Sequence, residues 1–138
     1  MRIKRYFLVL VALIAFTLQS FAQEGTTGIQ FFQGTFNEAL VKAKQENKVL
    51  FVDFYAVWCV PCKKMAKTVF TQEEVGKFFN EHFVSIQLDA EKGDNVNIAK
   101  NYKVVAYPTV AFISPDGKAI SVNTGAMNKD ELLDAAKI

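Results

Sequence analysis

Two cysteines and one histidine are all that this 138-residue chain offers to a transition metal or a disulfide framework. A structural zinc site needs about four such ligands, so metal binding within the chain is not the reading. Proline and glycine are sparse at 3 and 7, and no low-complexity tract or internal repeat occurs, while half of the residues are hydrophobic. That composition excludes a disordered chain and fits one globular domain. Charge of one sign is missing as well. Sixteen Lys and Arg stand against 14 Asp and Glu, a net of +2, and they are scattered along the chain. A basic nucleic-acid footprint is therefore absent, and the charges read as solvated faces.

Even the slight basicity is local. Residues 1–22 hold three basic residues (Arg2, Lys4, Arg5) and no acidic one, leaving 13 against 14, a net of −1, for the remainder. This opening has a basic start, an apolar stretch from Phe7 to about Leu18 and a small-residue exit at Ser20-Phe21-Ala22. The pattern is that of a secretory signal peptide, and it predicts export to the periplasm. An uncleaved membrane anchor is the competing reading, but the apolar run falls short of the ~20 residues a spanning helix needs. No cysteine precedes Cys59, which excludes a lipid on an N-terminal cysteine. Residues 23–28 read as a flexible mature N-terminus, and one domain is expected over 29–138.

Within that domain, helix starts are marked by a cap residue followed three positions later by Glu: Thr35 with Glu38, Thr71 with Glu74, Asn128 with Glu131. Phe36, Ala39, Leu40 and Ala43 form a helical apolar stripe, and Val75, Phe78 and Phe79 another. Lys48 to Tyr55 is nearly continuous in apolar and β-prone residues, as a strand covered on both sides would be. Phe83–Asp89 alternates, a short helix is expected near Asn95 to Tyr102, and Thr109–Ile113 and Ala119–Thr124 flank Ser114-Pro115-Asp116-Gly117, a tight-turn sequence. The order predicts an α/β fold, a central mixed sheet with helices on both faces.

Chemistry concentrates at Cys59-Val60-Pro61-Cys62, where the central strand gives way to a helix. Unpaired amides and a partial positive charge at a helix start stabilise a thiolate, lowering a cysteine pKa to roughly 3.5–7.5. Pro61 suits the first turn, where its missing N–H costs nothing. A structural disulfide is a poor alternative, because so short a loop constrains the unfolded chain little. A redox pair accounts for the spacing better: once one sulfur has attacked a substrate disulfide, the other must reach the mixed disulfide to resolve it. Asp53 is the other residue that asks for a reason, since a carboxylate in a buried strand is costly unless paired or protonated. The plainer account of it is a partly solvated side chain at a strand end. His82, the phenylalanines Phe31, Phe32, Phe78, Phe79 and Phe112, and Met65 and Met127 read as packing residues, and Tyr55 is unassigned.

The run "VDFYAVWCVPCK" with "YPT" at Tyr107-Pro108-Thr109 resembles the thioredoxin family. From Ile29 to Lys137 the chain is similar in particular to the periplasmic C-terminal domain of the thiol-disulfide interchange protein DsbD, through "FYAVWCVPCKKM", "TVFTQEEV" and "VVAYPTVAFISPDGK". The resemblance implies a thioredoxin-like fold and no cofactor. It makes Cys59 the exposed, attacking cysteine and Cys62 the resolving one, and Asp53 a buried acid that exchanges the Cys62 proton. Trp58, Val60, Pro61, Tyr107, Pro108 and Thr109 would border the substrate, with Pro108 in the cis form. Two departures stand out: Ser85 where thioredoxin has a buried lysine, and Val-Pro between the cysteines where thioredoxin has Gly-Pro and the DsbD domain Val-Ala.

The implied activity is an exported thiol-disulfide oxidoreductase that reduces or isomerises disulfides in exported proteins, supplied with electrons by a membrane donor of the DsbD kind. Two readings stay open beside it: an oxidase that donates its disulfide, and a non-catalytic binding module of the same fold.

Overall fold

The computed structural model describes residues 27–138; the expected signal peptide and residues 23–26 lie outside the described residues. Helix α1 (Phe36–Glu46) opens with the expected capping box: the Thr35 side chain accepts the Glu38 N–H while the Glu38 carboxylate accepts the Thr35 N–H. Asn47 ends it in the left-handed conformation, and the Lys48 N–H still bonds to the Ala43 carbonyl, so strand β1 begins one residue later than expected, at Val49, and runs to Tyr55. Then follow α2 (Val60–Thr68), α3 (Glu73–His82), β2 (Phe83–Asp89), α4 (Asn95–Asn101), β3 (Thr109–Ile113), β4 (Ala119–Thr124) and α5 (Lys129–Ala135).

The start of α3 departs from the sequence reading. Thr71 is not its cap: the Thr71 hydroxyl donates to the Lys67 carbonyl at 2.6 Å, and Gln72 takes the cap position without a side-chain hydrogen bond to the helix. The expectation failed because α2 does not end in a loop; amides of Val69 and Phe70 both bond to the Met65 carbonyl, so the chain is still turning when it reaches Thr71.

Four strands order as β2-β1-β3-β4, β2 parallel to β1 and the other pairs antiparallel. Alternation along β1 sorts the core into two layers. Leu50, Val52 and Phe54 pack with Phe36, Ala39 and Ala43 of α1 and Ala99 of α4; Phe51 faces the opposite side, among Met65 of α2, Phe79 of α3 and Leu132 of α5. Asp53 shares the Phe51 side by the period of two and so points toward α2.

Gly28, read from sequence as part of a flexible segment, is buried. Its carbonyl accepts the Asn80 side chain at 3.1 Å, and a Cβ on Gly76 would lie only 2.4 Å from its backbone. Three residues on, Phe31 bridges to Ser85 and the Phe32 N–H bonds to the Ser85 carbonyl at 2.7 Å, a single rung of a fifth strand that sequence periodicity did not predict. Among the described residues no helix is long and apolar enough to cross a membrane.

Candidate active site

Four residues past the end of β1, Cys59 occupies the cap position of α2 in extended conformation. A disulfide joins it to Cys62, with the Cα atoms 5.3 Å apart, and the Cys62 N–H points at the Cys59 sulfur at 3.2 Å. The first turn of α2 contains Pro61 and no acidic residue. A reduced sulfur at this position therefore meets an amide donor and the positive end of the helix with no competing carboxylate, the setting that favours a thiolate.

Cys59 was expected to be exposed, and in the disulfide form it is not: it is 3% accessible and Cys62 5%. The two sulfurs are turned toward each other in a small cluster with Ala56, against which Tyr55 and Tyr107 pack. The residues around them are the exposed ones. Val57, Trp58 and Val60 are 62–71% accessible. Trp58 meets Tyr107 edge to face at 6.0 Å and donates its indole N–H to Glu91 at 2.9 Å. Burial, followed by the negative charges of Glu91 and Asp89, pushes the Tyr107 phenol up. Glu91 was not singled out in the sequence; only the fold carries the β2–α4 loop to the tryptophan.

The Tyr107–Pro108 bond is cis, and both Pro108 and Thr109 are buried. The Thr109 hydroxyl donates to the Ala106 carbonyl at 2.7 Å, and the Pro108 carbonyl accepts the Gly125 N–H at 2.8 Å, which ties this turn to the β4–α5 connection. That connection and α2 enclose a mainly apolar groove of about 450 Å³, lined by Val60, Pro61, Lys64, Met65 and, across from them, Ala126 and Met127.

Behind the disulfide lies a second cavity, of about 420 Å³, lined by Asp53, Tyr55, Cys62, Lys63, Ala66 and Gln87 among others. Asp53 is 2% accessible and accepts a hydrogen bond from the Gln87 side-chain amide at 2.9 Å. Burial raises its carboxyl pKa to about 6, against the lowering effect of the Gln87 bond. Ser85 sits opposite Phe51, two residues along, and its hydroxyl has no hydrogen-bond partner among the described residues. Gln87 was missed in the sequence, yet the signal existed: β2 alternates Ser85 and Gln87 against Val84, Ile86 and Leu88, and parallel pairing places Gln87 opposite Asp53. His82 ends α3 with its ring 4.7 Å from Phe78, a packing position. No group of three or more His, Cys, Asp and Glu placed to hold a metal ion occurs among the described residues.

A two-cysteine disulfide capping the helix that follows the central strand of a mixed four-stranded sheet defines a thiol-disulfide oxidoreductase. Comparison with known proteins places it further. The Thioredoxin-like domain model matches residues 36–137, and the chain belongs to that family. Thioredoxin H-type of Oryza sativa subsp. indica is 36% identical over 111 residues, which are 80% of this chain and 84% of that protein. Thiol:disulfide interchange protein DsbD of Vibrio cholerae is 33% identical over 100 residues, 70% of this chain but 16% of DsbD. The chain thus spans about one-sixth of the DsbD relatives it matches. A candidate disulphide-isomerase of Bacteroides thetaiotaomicron, known from its solution structure, is 44% identical with a TM-score of 0.73 over 81% of this chain and 93% of that one. The oxidised C-terminal domain of Neisseria meningitidis DsbD is 26% identical with a TM-score of 0.64 over 79% of this chain and 97% of that one.

Proposed function

We propose that the protein reduces or isomerises disulfides of exported proteins outside the cytoplasm, receiving electrons from a membrane donor of the DsbD kind. The observation that carries this reading is the Cys59 sulfur at the start of α2 with the Cys62 N–H upon it. In the reduced protein, Cys59 thiolate attacks a substrate disulfide. A bond forms between Cys59 and one substrate sulfur, and the other substrate sulfur leaves as a thiolate. Cys62 then gives its proton to Asp53 across the shared cavity and attacks the Cys59 sulfur, which releases the second substrate thiolate and leaves the Cys59–Cys62 disulfide. Asp53 returns that proton to one leaving thiolate and solvent protonates the other, because Cys59 entered the cycle as a thiolate, so the substrate gains two electrons from the protein and two protons, one of them from water. The Trp58 ring and Tyr107 border the approach, and the groove beside Val60 and Pro61 receives an apolar substrate side chain; Pro108 and Thr109, expected at the substrate but both buried, back this surface and do not line it. The signal-like character of residues 1–22 supports export, and mass spectrometry of the mature N-terminus from the envelope fraction tests it.

The reading is tested by the equilibrium reduction potential of the Cys59–Cys62 pair in a defined thiol buffer. A value near thioredoxin's, about −270 mV, fits a reductant with its own donor; a value near about −120 mV makes the protein a disulfide donor instead. Lack of a reversible two-electron transition would leave a binding module. In cells, Cys62→Ala is expected to hold substrates as mixed disulfides on Cys59.

A further inference from the structure

We propose that Gln87 is a positioning residue for the redox cycle: its side-chain amide pairs with Asp53 in both protonation states by turning over, and so holds that carboxyl group at the cavity shared with Cys62. The inference rests on the proposed proton transfer through Asp53. A residue that must take up a proton and return it within one turnover needs a partner that suits two chemical species. Ionised, Asp53 only accepts hydrogen bonds; protonated, it has an O–H to donate. A lysine in the partner position would serve the first form alone, and an apolar residue neither, leaving a buried polar group unpaired. An amide carries donors on one side and an acceptor on the other. Nε2 of Gln87 now donates to Oδ2 of Asp53 at 2.9 Å, and half a turn about its last side-chain bond offers the carbonyl oxygen instead.

The surroundings leave this task to Gln87. Among the described residues Asp53 enters no ion pair. The titratable groups facing the same cavity are Tyr55 from β1 and Lys63 and Cys62 from α2, with Asp89 of β2 beyond Tyr55. Lys63 lies on the exposed side of its helix, and the side-chain hydrogen bond that reaches Asp53 comes from Gln87, whereas Tyr55 acts on it through charge alone. Register fixes Gln87 in place, because it is the β2 residue directly opposite Asp53.

The test uses the full chain with Gln87→Met, close in shape and apolar, and Gln87→Lys, a donor only. Protonation of Asp53 is followed by its carboxyl band in infrared difference spectra, assigned with Asp53→Asn. In parallel, Cys62 releases an aryl thiol held on Cys59 as a mixed disulfide, across pH 5–9. The Met variant is expected to move the carboxyl midpoint up by about one pH unit, and with it to slow release at pH 6 about fivefold. The Lys variant is expected to move the midpoint down. Midpoints unchanged in both variants, or shifted in the same direction in both, overturn the role of Gln87 even where Asp53→Asn alters the release profile. A release profile that Asp53→Asn leaves unchanged overturns the proton transfer itself and removes Gln87 from the cycle. Because the Lys variant keeps a polar group in the site, it reads the coupling even if the Met variant folds poorly.

Discussion

Helices α1 and α2 begin alike and use the beginning differently. At α1 the cap is an oxygen, Thr35, and an acid three residues on closes the box; hydrogen bonds from Thr35 hold the exposed Glu38 carboxyl below its ordinary range. At α2 the cap is the Cys59 sulfur, the residue three on is Cys62, and no acid occupies the first turn. One arrangement satisfies the helix end within the helix. The other keeps its positive end available for a charge that exists only when the disulfide is open. Stability is served at α1 and reactivity at α2, from the same backbone geometry.

The sharpest way to break this comparison is Cys59→Ser, which restores an oxygen cap to α2. Loss of all disulfide reductase turnover is expected, with a melting temperature close to that of the reduced wild type, read by insulin reduction and thermal denaturation. Next in size is Asp53→Asn, which contrasts a carboxyl raised by burial with Glu38, lowered by donors. For Asp53 the folded pKa of about 6 exceeds the ordinary aspartate value. Stability is therefore fully present at low pH and falls as pH rises through about 6. Removing the charge should stabilise the protein at pH 8 by on the order of 3 kcal/mol and leave it nearly unchanged at pH 3, as read by urea unfolding.

Smaller effects probe the caps themselves. Thr35→Ala should cost about 1 kcal/mol with turnover intact, whereas Thr71→Ala, outside the α3 cap, should stay within about 0.5 kcal/mol on the same unfolding curves. Val60→Asp would give α2 the acid that it lacks. A helix gain of about 0.3–1 kcal/mol is expected, and the pH profile of Cys59 alkylation in the reduced protein should move upward, since the new carboxylate opposes the thiolate.

Much of the fold was legible because local signals agreed with the tertiary solution. The boxes at Thr35 and Asn128, the Pro115–Gly117 turn and the uniform apolar run of β1 each have a local cause. Thr71 misled because its hydroxyl had a second partner, the Lys67 carbonyl, which no cap pattern reveals. At the site, the cysteines, Asp53 and Pro108 could be named from their spacing and family likeness. Gln87 was only half legible, through the alternation of β2, and Glu91 not at all, because their roles come from strand register and a loop path that join positions 34 and 33 residues apart in sequence. The burial of Cys59 was likewise invisible, since it depends on Ala56, Tyr55 and Tyr107 closing around the two sulfurs.

The contact between Gly28 and Gly76 gives the molecule an orientation. Backbone meets backbone there because neither residue has a side chain, beside Phe70 and Thr71 at the far end of α2. That helix spans nine residues, about 13 Å, from its cysteine end. The chain upstream is thus joined to the domain at the pole away from the disulfide. A domain held from that side, whatever holds it, turns the exposed Val57, Trp58 and Val60 that ring its cysteines away from the point of attachment.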